Sequence, residues 1–350
     1  MNKTDIITNS SMSVFKACRQ KYYWAYEVGL RPDRDRAPLR IGSMIHKGLD
    51  LLAKNQSLQS VLDEIEQSYA QAVDLNEITM RYELVTVQEL LRGYYYAWKD
   101  SPLRIMESEQ VFELPIINPS GNKMTGLRQA GKRDRIGCLP DARLALLETK
   151  TTSEDIGPDS EYRRILAIDQ QLSMYIAAAR EDGIDLQTAV YDCIRKPTIR
   201  PCDVPLTDSN GEKIVLDESG NRVYKSNGQP RLSGDKNKGY TLQVRSMTPD
   251  EWREKLATDI AYRPEYYYQR FEVPRLESDI EQFRVELWMI AKDILDCRRM
   301  GRWYRNTNAC RRYNSMCPYY PLCAGEITID NGVPAGFRQA ETVHEELIDD

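Results

Sequence analysis

The 350-residue sequence predicts an α/β protein built on a mixed central sheet flanked by helices. Three observations predict it: a helical opening from Ser11 to about Asp100, β-prone stretches between Glu109 and Thr149, and a helical pattern from Arg163 to Arg180 that leads into a further strand. In the opening, Ile45, Leu49 and Leu52, then Val61, Ile65 and Tyr69, recur at three- and four-residue steps, so each set shares one helix face. After Ser101 and Pro102 the period changes. Glu109 to Ile117 and Gly131 to Leu139 alternate or run in β-prone residues, and Leu144 to Thr149 reads as a buried strand. Thr188 to Ile194 gives another short strand, joined to the previous one through the helix in βαβ fashion. Between Asp203 and Gly239 three turn groups, Ser209-Asn210-Gly211, Ser219-Gly220-Asn221 and Ser226-Asn227-Gly228, punctuate short segments and predict an inserted β-hairpin arm. Glu277 to Met300 is an amphipathic helix, and a cysteine-rich segment, Cys310 to Cys323, follows it. The expected organisation is one domain over 1–350: a helical part at 11–100, an α/β core at 101–202, the arm at 203–239, helices and the cysteine segment at 240–323, and an acidic tail at 324–350.

Composition narrows the classes. Hydrophobic residues make up 41%, a globular value. No apolar run approaches the ~18–20 residues that cross a bilayer, so no membrane partner is expected. The start, MNKTDIITNSSMSVF, lacks a basic patch followed by an apolar stretch, so a reducing cytoplasm is expected and disulfides are not. Eight cysteines then read better, in part, as metal or cluster ligands. A formal charge of -5 speaks against non-specific coating of nucleic acid. The average hides basic groups, one of Lys16, Arg19, Lys21, Arg31, Arg34, Arg36 and Arg40, another of Arg298, Arg299, Arg302, Arg305, Arg311 and Arg312. Such blocks are solvated faces unless other features point to a polyanion.

The chemistry concentrates in Gly131 to Lys150, where GKRD places Asp134 at the end of one strand and LALLETK places Glu148 and Lys150 at the end of the next. Residues two apart on a strand share a face, so Glu148 and Lys150 project together. An acid and a lysine on an apolar strand are costly to bury unless they engage each other, a second acid such as Asp134, or a metal. Two carboxylates converging on Mg²⁺ would polarise a phosphodiester, with Lys150 orienting water or offsetting charge. A salt-bridged strand end would also produce the triplet. His46, in GSMIH, lies on a helix before the sheet, where it is either structural or a further ligand. Gln171 and Tyr175, in QLSMY, stand one helical turn apart and share a face, as supports of a site or as surface decoration.

Taken in order, GSMIH, GKRD, ETK and QLSMY resemble the motif series of RecB-like nucleases in the PD-(D/E)XK superfamily, over roughly residues 10 to 200 plus the cysteine segment. The resemblance implies a restriction-endonuclease-like core and metal-dependent DNA cleavage. Asp134, Glu148 and His46 would hold Mg²⁺ or Mn²⁺, Lys150 would assist the attacking water, and Gln171 with Tyr175 would support the site and the DNA. It further implies an exonuclease on DNA ends or single strands in recombination, repair or phage DNA metabolism, in a bacterial or phage-infected cell. No GxxxxGK[ST] loop is present, so any helicase or recombination motor would be a separate partner. The alternative is a non-catalytic DNA-binding or scaffold subunit of a larger complex.

Cys18 lies in the first helical stretch, and Cys310, Cys317 and Cys323 lie almost three hundred residues later; four thiolates suit an iron–sulfur cluster clasping the two ends. Cys138, Cys193 and Cys202 read as small buried hydrophobes. One early and three late cysteines resemble the iron–sulfur subset of these nucleases, the CRISPR-adaptation and AddB types, which implies a [4Fe-4S] cluster. The tight CxxC of that subset is absent, since Asn314 takes the expected place. Cys310 is therefore the least secure ligand, Cys297 is a substitute, and zinc is a rival. Arg19, Lys21, Arg305, Arg311 and Arg312 flank these cysteines. Interleaved with Tyr22, Tyr23, Trp24, Trp303, Tyr304 and Tyr313, they suit a DNA-tracking surface with stacking platforms, or the aromatics are core.

Overall fold

The computed structural model describes residues 5–33, 37–312 and 315–348. Thr8 starts the first helix, α1 (Asn9–Ala17), with a reciprocal capping box to Ser11. The opening continues as α2 (Arg19–Tyr22), a wider π turn at Tyr23–Glu27, then α3 (Ala37–Ala53), α4 (Leu58–Ala72) and α5 (Ile78–Trp98). Two short strands lie among them, β1 (Ile6–Ile7) and β2 (Leu30–Pro32).

The strands β3 (Arg104–Ile117), β4 (Lys123–Cys138), β5 (Leu144–Thr152) and β6 (Thr188–Arg195) form the sheet. Both strands of the β3–β4 hairpin start earlier than the sequence pattern predicts, at Arg104 instead of Glu109 and at Lys123 instead of Gly131, because these first stretches are largely exposed. GKRD accordingly sits inside β4, which runs on to Cys138, rather than at a strand end. Between β5 and β6 the predicted single helix is two, α6 (Glu161–Leu166) and α7 (Gln170–Glu181), broken where Asp169 caps α7 by accepting the Gln171 N–H.

The arm is built from β7 (Asp203–Pro205), β8 (Val215–Leu216), β9 (Thr241–Leu242) and β10 (Val244–Ser246), so it closes at Ser246 instead of Gly239. Its turns repeat one device: the Asp208 and Asp217 carboxylates each accept two backbone N–H groups, and Gly211 and Gly220 take the left-handed φ of 78° and 82° that glycine permits. Then come α8 (Pro249–Tyr262), α9 (Pro264–Tyr267), an edge strand β11 (Tyr268–Val273) and α10 (Glu277–Met300). The chain ends in β12 (Arg311–Arg312), β13 (Ser315–Met316), α11 (Tyr320–Ala324) and β14 (Phe337–Gln339). β14 pairs with β2, and Thr342 and His344 are buried, so part of this acidic stretch packs on the body.

The six-stranded sheet runs β1-β4-β5-β6-β11, with β3 on β4; β1–β4 and β5–β6 are parallel and the other pairs antiparallel. It is mixed, as the sequence predicts. Strand alternation sorts the residues onto two faces. Ile136, Leu146, Tyr191 and Cys193 pack with α1, α7 and α10 on the front face. Ala145, Leu147 and Val190 face the back in a small cluster of their own, and Ile194 on the same face joins the core that α3, α4, α5 and α8 form around Trp252 and Tyr267. Each fully buried side chain of this kind, Leu146 for example, contributes about 1.5–3 kcal/mol. Among the described residues no helix is long and apolar enough to cross a membrane.

Candidate active site

The antiparallel register of β4 and β5, with Arg135 opposite Leu147, places Asp134 and Glu148 one step further along, on the front face. Lys150 follows two residues on. The Thr149 backbone N–H donates to Asp134 Oδ2 at 2.8 Å and fixes that carboxylate across the strand gap. Lys150 Nζ donates to Glu148 Oε1 at 3.0 Å and to Gln171 Oε1 at 2.5 Å, and Gln171 Nε2 donates to the Tyr175 hydroxyl at 3.1 Å. The amide–phenol pair of α7 is thus an extension of the strand triplet, not surface decoration.

His46 reaches the same place from α3, with Nδ1 3.5 Å from Asp134 Oδ2. The GSM segment permits the approach: a Cβ on Gly42, one turn earlier, would stand 3.1 Å from the Thr151 hydroxyl of β5.

Burial sets the electrostatics. Glu148 is 2% exposed, and its Oε2 has no hydrogen-bond partner among the described residues. Burial first, and the Asp134 charge second, push its carboxyl up to about 8 despite the ammonium beside it. For Lys150, burial alone would lower the ammonium, but Glu148 and Asp169 outweigh it and hold it above its ordinary value. Burial, then the two carboxylates, keep Tyr175 neutral by raising its phenol well above the usual range.

Asp169 belongs to this group and is not singled out by the sequence pattern. Its Oδ2 lies 3.6 Å from Lys150 Nζ and accepts the Tyr191 hydroxyl at 2.9 Å, while Oδ1 caps α7. The only sequence signal is an aspartate immediately before a helix, which ordinarily marks a cap alone. Among the described residues, no three or more His, Cys, Asp or Glu side chains are already drawn together as a metal-holding group.

Cys18, Cys310, Cys317 and Cys323 line one small cavity of about 30 Å³, with Lys21 and Arg305 beside them. The fold therefore brings the early cysteine to the three late ones. Burial raises the Cys317 and Cys323 thiols above their ordinary value. Cys297 is buried in the front core on α10 and does not line this cavity. Of the three cysteines expected to act as small hydrophobes, Cys193 is buried and Cys138 half-buried, but Cys202 is exposed at the base of the arm beside Lys255 Nζ, because it falls outside the sheet.

Arg19 stacks over Phe15 and Tyr304 at 4.8 Å each and lies 3.9 Å from Asp293. Arg311 and Arg312 are exposed on β12. Tyr22 is buried and stacked on Tyr26 and Trp303, so this part of the aromatic series is core. Tyr304 is exposed. Arg34, Arg36, Tyr313 and Asn314 lie outside the described residues.

The sequence matches the model of the PD-(D/E)XK nuclease superfamily over residues 7–324. No curated protein matches it. Among solved structures, a protein of Eubacterium rectale described as a "putative exonuclease" is 10% identical, with 74% of this chain and 80% of that one covered and a TM-score of 0.37. One described as SSO0001 is 14% identical over 55% and 63%, with a TM-score of 0.23.

Proposed function

Because the chain belongs to the PD-(D/E)XK nuclease superfamily, we propose that it hydrolyses phosphodiester bonds of DNA with Mg²⁺ or Mn²⁺, as an exonuclease on ends or single strands. The observation that carries the proposal is the convergence of Asp134, Glu148 and Lys150 on one face of β4 and β5, with Gln171 on the lysine. The group fits a divalent cation. Glu148 Oε2 is buried without a partner among the described residues, and the nearby Asp134 charge opposes its ionisation. Asp134, Glu148 and His46 would hold the ion, with His46 already beside Asp134. Bound there, a divalent ion supplies Lewis acidity and neutralises charge building on the phosphate.

The chain's own groups do the rest. Thr149 N–H holds Asp134 in one orientation. Gln171 and Asp169 hold the Lys150 ammonium, so it can hydrogen-bond an attacking water or a non-bridging phosphate oxygen without losing its charge. Tyr175 locks the Gln171 amide in the orientation that leaves its oxygen to the lysine.

The four-cysteine cavity supports a [4Fe-4S] cluster as a clasp between α2 and the C-terminal segment, with zinc as the competing occupant. The donor set is all thiol, and Lys21 and Arg305 would offset the negative charge of ligated thiolates. Arg19, Lys21, Arg305, Arg311 and Arg312 would then border the clasp as a phosphate-tracking surface. The protein would work beside a separate helicase or recombination protein.

Purified protein with Mn²⁺ and end-labelled single- and double-stranded DNA tests the proposal. Cleavage that falls at least ~100-fold in Glu148→Ala and Lys150→Ala supports it; undiminished cleavage in both, or DNA binding without turnover in the wild type, refutes it. Brown protein absorbing near ~400 nm marks the iron–sulfur occupant, and colourless protein with stoichiometric zinc marks the other.

A further inference from the structure

A second polar cluster lies on the back face of the same strands. Asp192 of β6 is fully buried and is shared by two guanidinium groups. Its Oδ2 accepts from Arg135 Nη2 at 3.0 Å and Arg270 Nη2 at 3.2 Å, and from the Tyr94 hydroxyl; Arg270 Nε stands 3.2 Å from Oδ1. Burial and the Asp192 charge keep the Tyr94 phenol neutral by raising it. Two cations and one anion leave the cluster with one positive charge in excess, in a place where charges are ordinarily balanced.

A cavity of about 160 Å³ opens beside it, lined on its polar side by Arg135, Arg270, Tyr94, Trp98, Lys99 and Ser101. Trp98 lines it with its ring, and its indole N–H is buried with no acceptor among the described residues. The Arg270 guanidinium packs 4.2 Å from the Trp98 ring centroid and also donates to the Ser101 hydroxyl at 3.2 Å.

We propose that this cavity binds a phosphate group. The excess positive charge calls for an anion, and a tetrahedral oxyanion can take several donors at once: guanidinium N–H groups, which suit phosphate in a fork, and the serine hydroxyl. The space of about 160 Å³ is well above the ~10–15 Å³ that a single water needs and has room for a phosphate. Apolar walls from Leu49, Leu52, Leu103 and Ile105 lower the local dielectric and strengthen each charged contact. The bound group is distinct from a scissile phosphate, because Asp134, Glu148 and Lys150 occupy the opposite face of the sheet. The inference therefore stands apart from the nuclease proposal.

The source is either free phosphate or the terminal phosphate of a nucleotide or nucleic-acid end held at the mouth. Calorimetric titration of the full chain with inorganic phosphate, in the presence of a chelator, tests the site. Saturable binding is expected, weakened about tenfold in Arg270→Lys, which keeps the charge and loses the fork, and several-fold in Ser101→Ala, which loses the hydroxyl donor. Lys150→Ala should leave it unchanged. A 5′-mononucleotide that competes identifies a terminal phosphate as the source, and one that does not identifies free phosphate; either supports the site. Absence of saturable phosphate binding overturns the proposal. So does binding that survives both back-face variants and disappears in Lys150→Ala.

Discussion

Asp192→Asn removes the one carboxylate that two buried guanidiniums share, and its cost can be worked from the structure. The side chain is 0% exposed, so no water takes over its contacts with Arg135, Arg270 and Tyr94. Deleting one partner of a buried ion pair costs about 3–5 kcal/mol, and here both cations lose their counter-charge, so the upper end applies. The effect also depends on pH. Burial alone would raise the Asp192 carboxyl, but Arg270 and Arg135 outweigh it and hold it below its ordinary 3.8. A carboxyl lowered by folding adds stability that is fully present above its unfolded pKa and is lost as pH falls through the folded value. The gap between wild type and variant should therefore be constant near neutrality and close in acid, below about pH 4. Urea unfolding followed by circular dichroism at a series of pH values measures it. A neutral-pH gap under about 1 kcal/mol, or a gap that does not close in acid, refutes the reasoning. The variant carries one further uncompensated positive charge, so added phosphate should stabilise it more than it stabilises wild type.

Three other outcomes are expected. In chelator, wild type should lose stability as pH rises from the ordinary carboxyl range through about 8, because ionising Glu148 is opposed by burial and then by Asp134, whereas Glu148→Gln should not; matching pH profiles would contradict this. Gly131→Ala would put a Cβ 2.7 Å from Phe112 Cζ and 2.9 Å from Tyr175 Cε1, so it should cost about 1–3 kcal/mol and lower kcat by displacing Tyr175 from Gln171, read by melting and single-turnover cleavage. Cys317→Ser should bleach absorbance near ~400 nm and lower Tm together, and loss of colour with an unchanged Tm would show that the cluster is no clasp.

Much of this arrangement is legible in the sequence, for physical reasons that differ by element. β5 and β6 are buried on both faces and read as apolar runs, and α10 shows its stripe over 24 residues. Glu148 and Lys150 stand out because charge on such a strand demands an explanation. The first stretches of β3, Arg104–Ser108, and of β4, Lys123–Ala130, do not stand out, since a largely exposed strand needs no apolar alternation and its residues match those of a loop. β11 is hidden for a related reason: YQRFEV is an edge strand whose arginine is recruited to Asp192, so its pattern is broken by a contact that exists only in three dimensions. Asp169 fails for the opposite reason, as its capping role is local and sufficient, and nothing in the sequence marks its second role beside Lys150.

Thr149 ties these observations into one mechanical argument. It sits between Glu148 and Lys150, so strand alternation sends its side chain to the back while its neighbours face the front. Its backbone N–H holds Asp134 on the front, and its hydroxyl accepts from Arg135 Nη2 at 2.6 Å on the back. Arg135 in turn is the residue next to Asp134 and a member of the Asp192 cluster. A closed path of hydrogen bonds and covalent backbone thus runs from the front carboxylate through the strand to the buried guanidinium and home along β4. A path of this kind fixes the separation of the two acids more tightly than the strand ladder alone. Thr149→Val keeps the volume and the N–H but breaks the back-face bond. If the path matters, it should lower kcat while leaving DNA binding intact, and Thr149→Ser should restore it; a Val variant with full turnover would confine the back-face cluster to a role in stability.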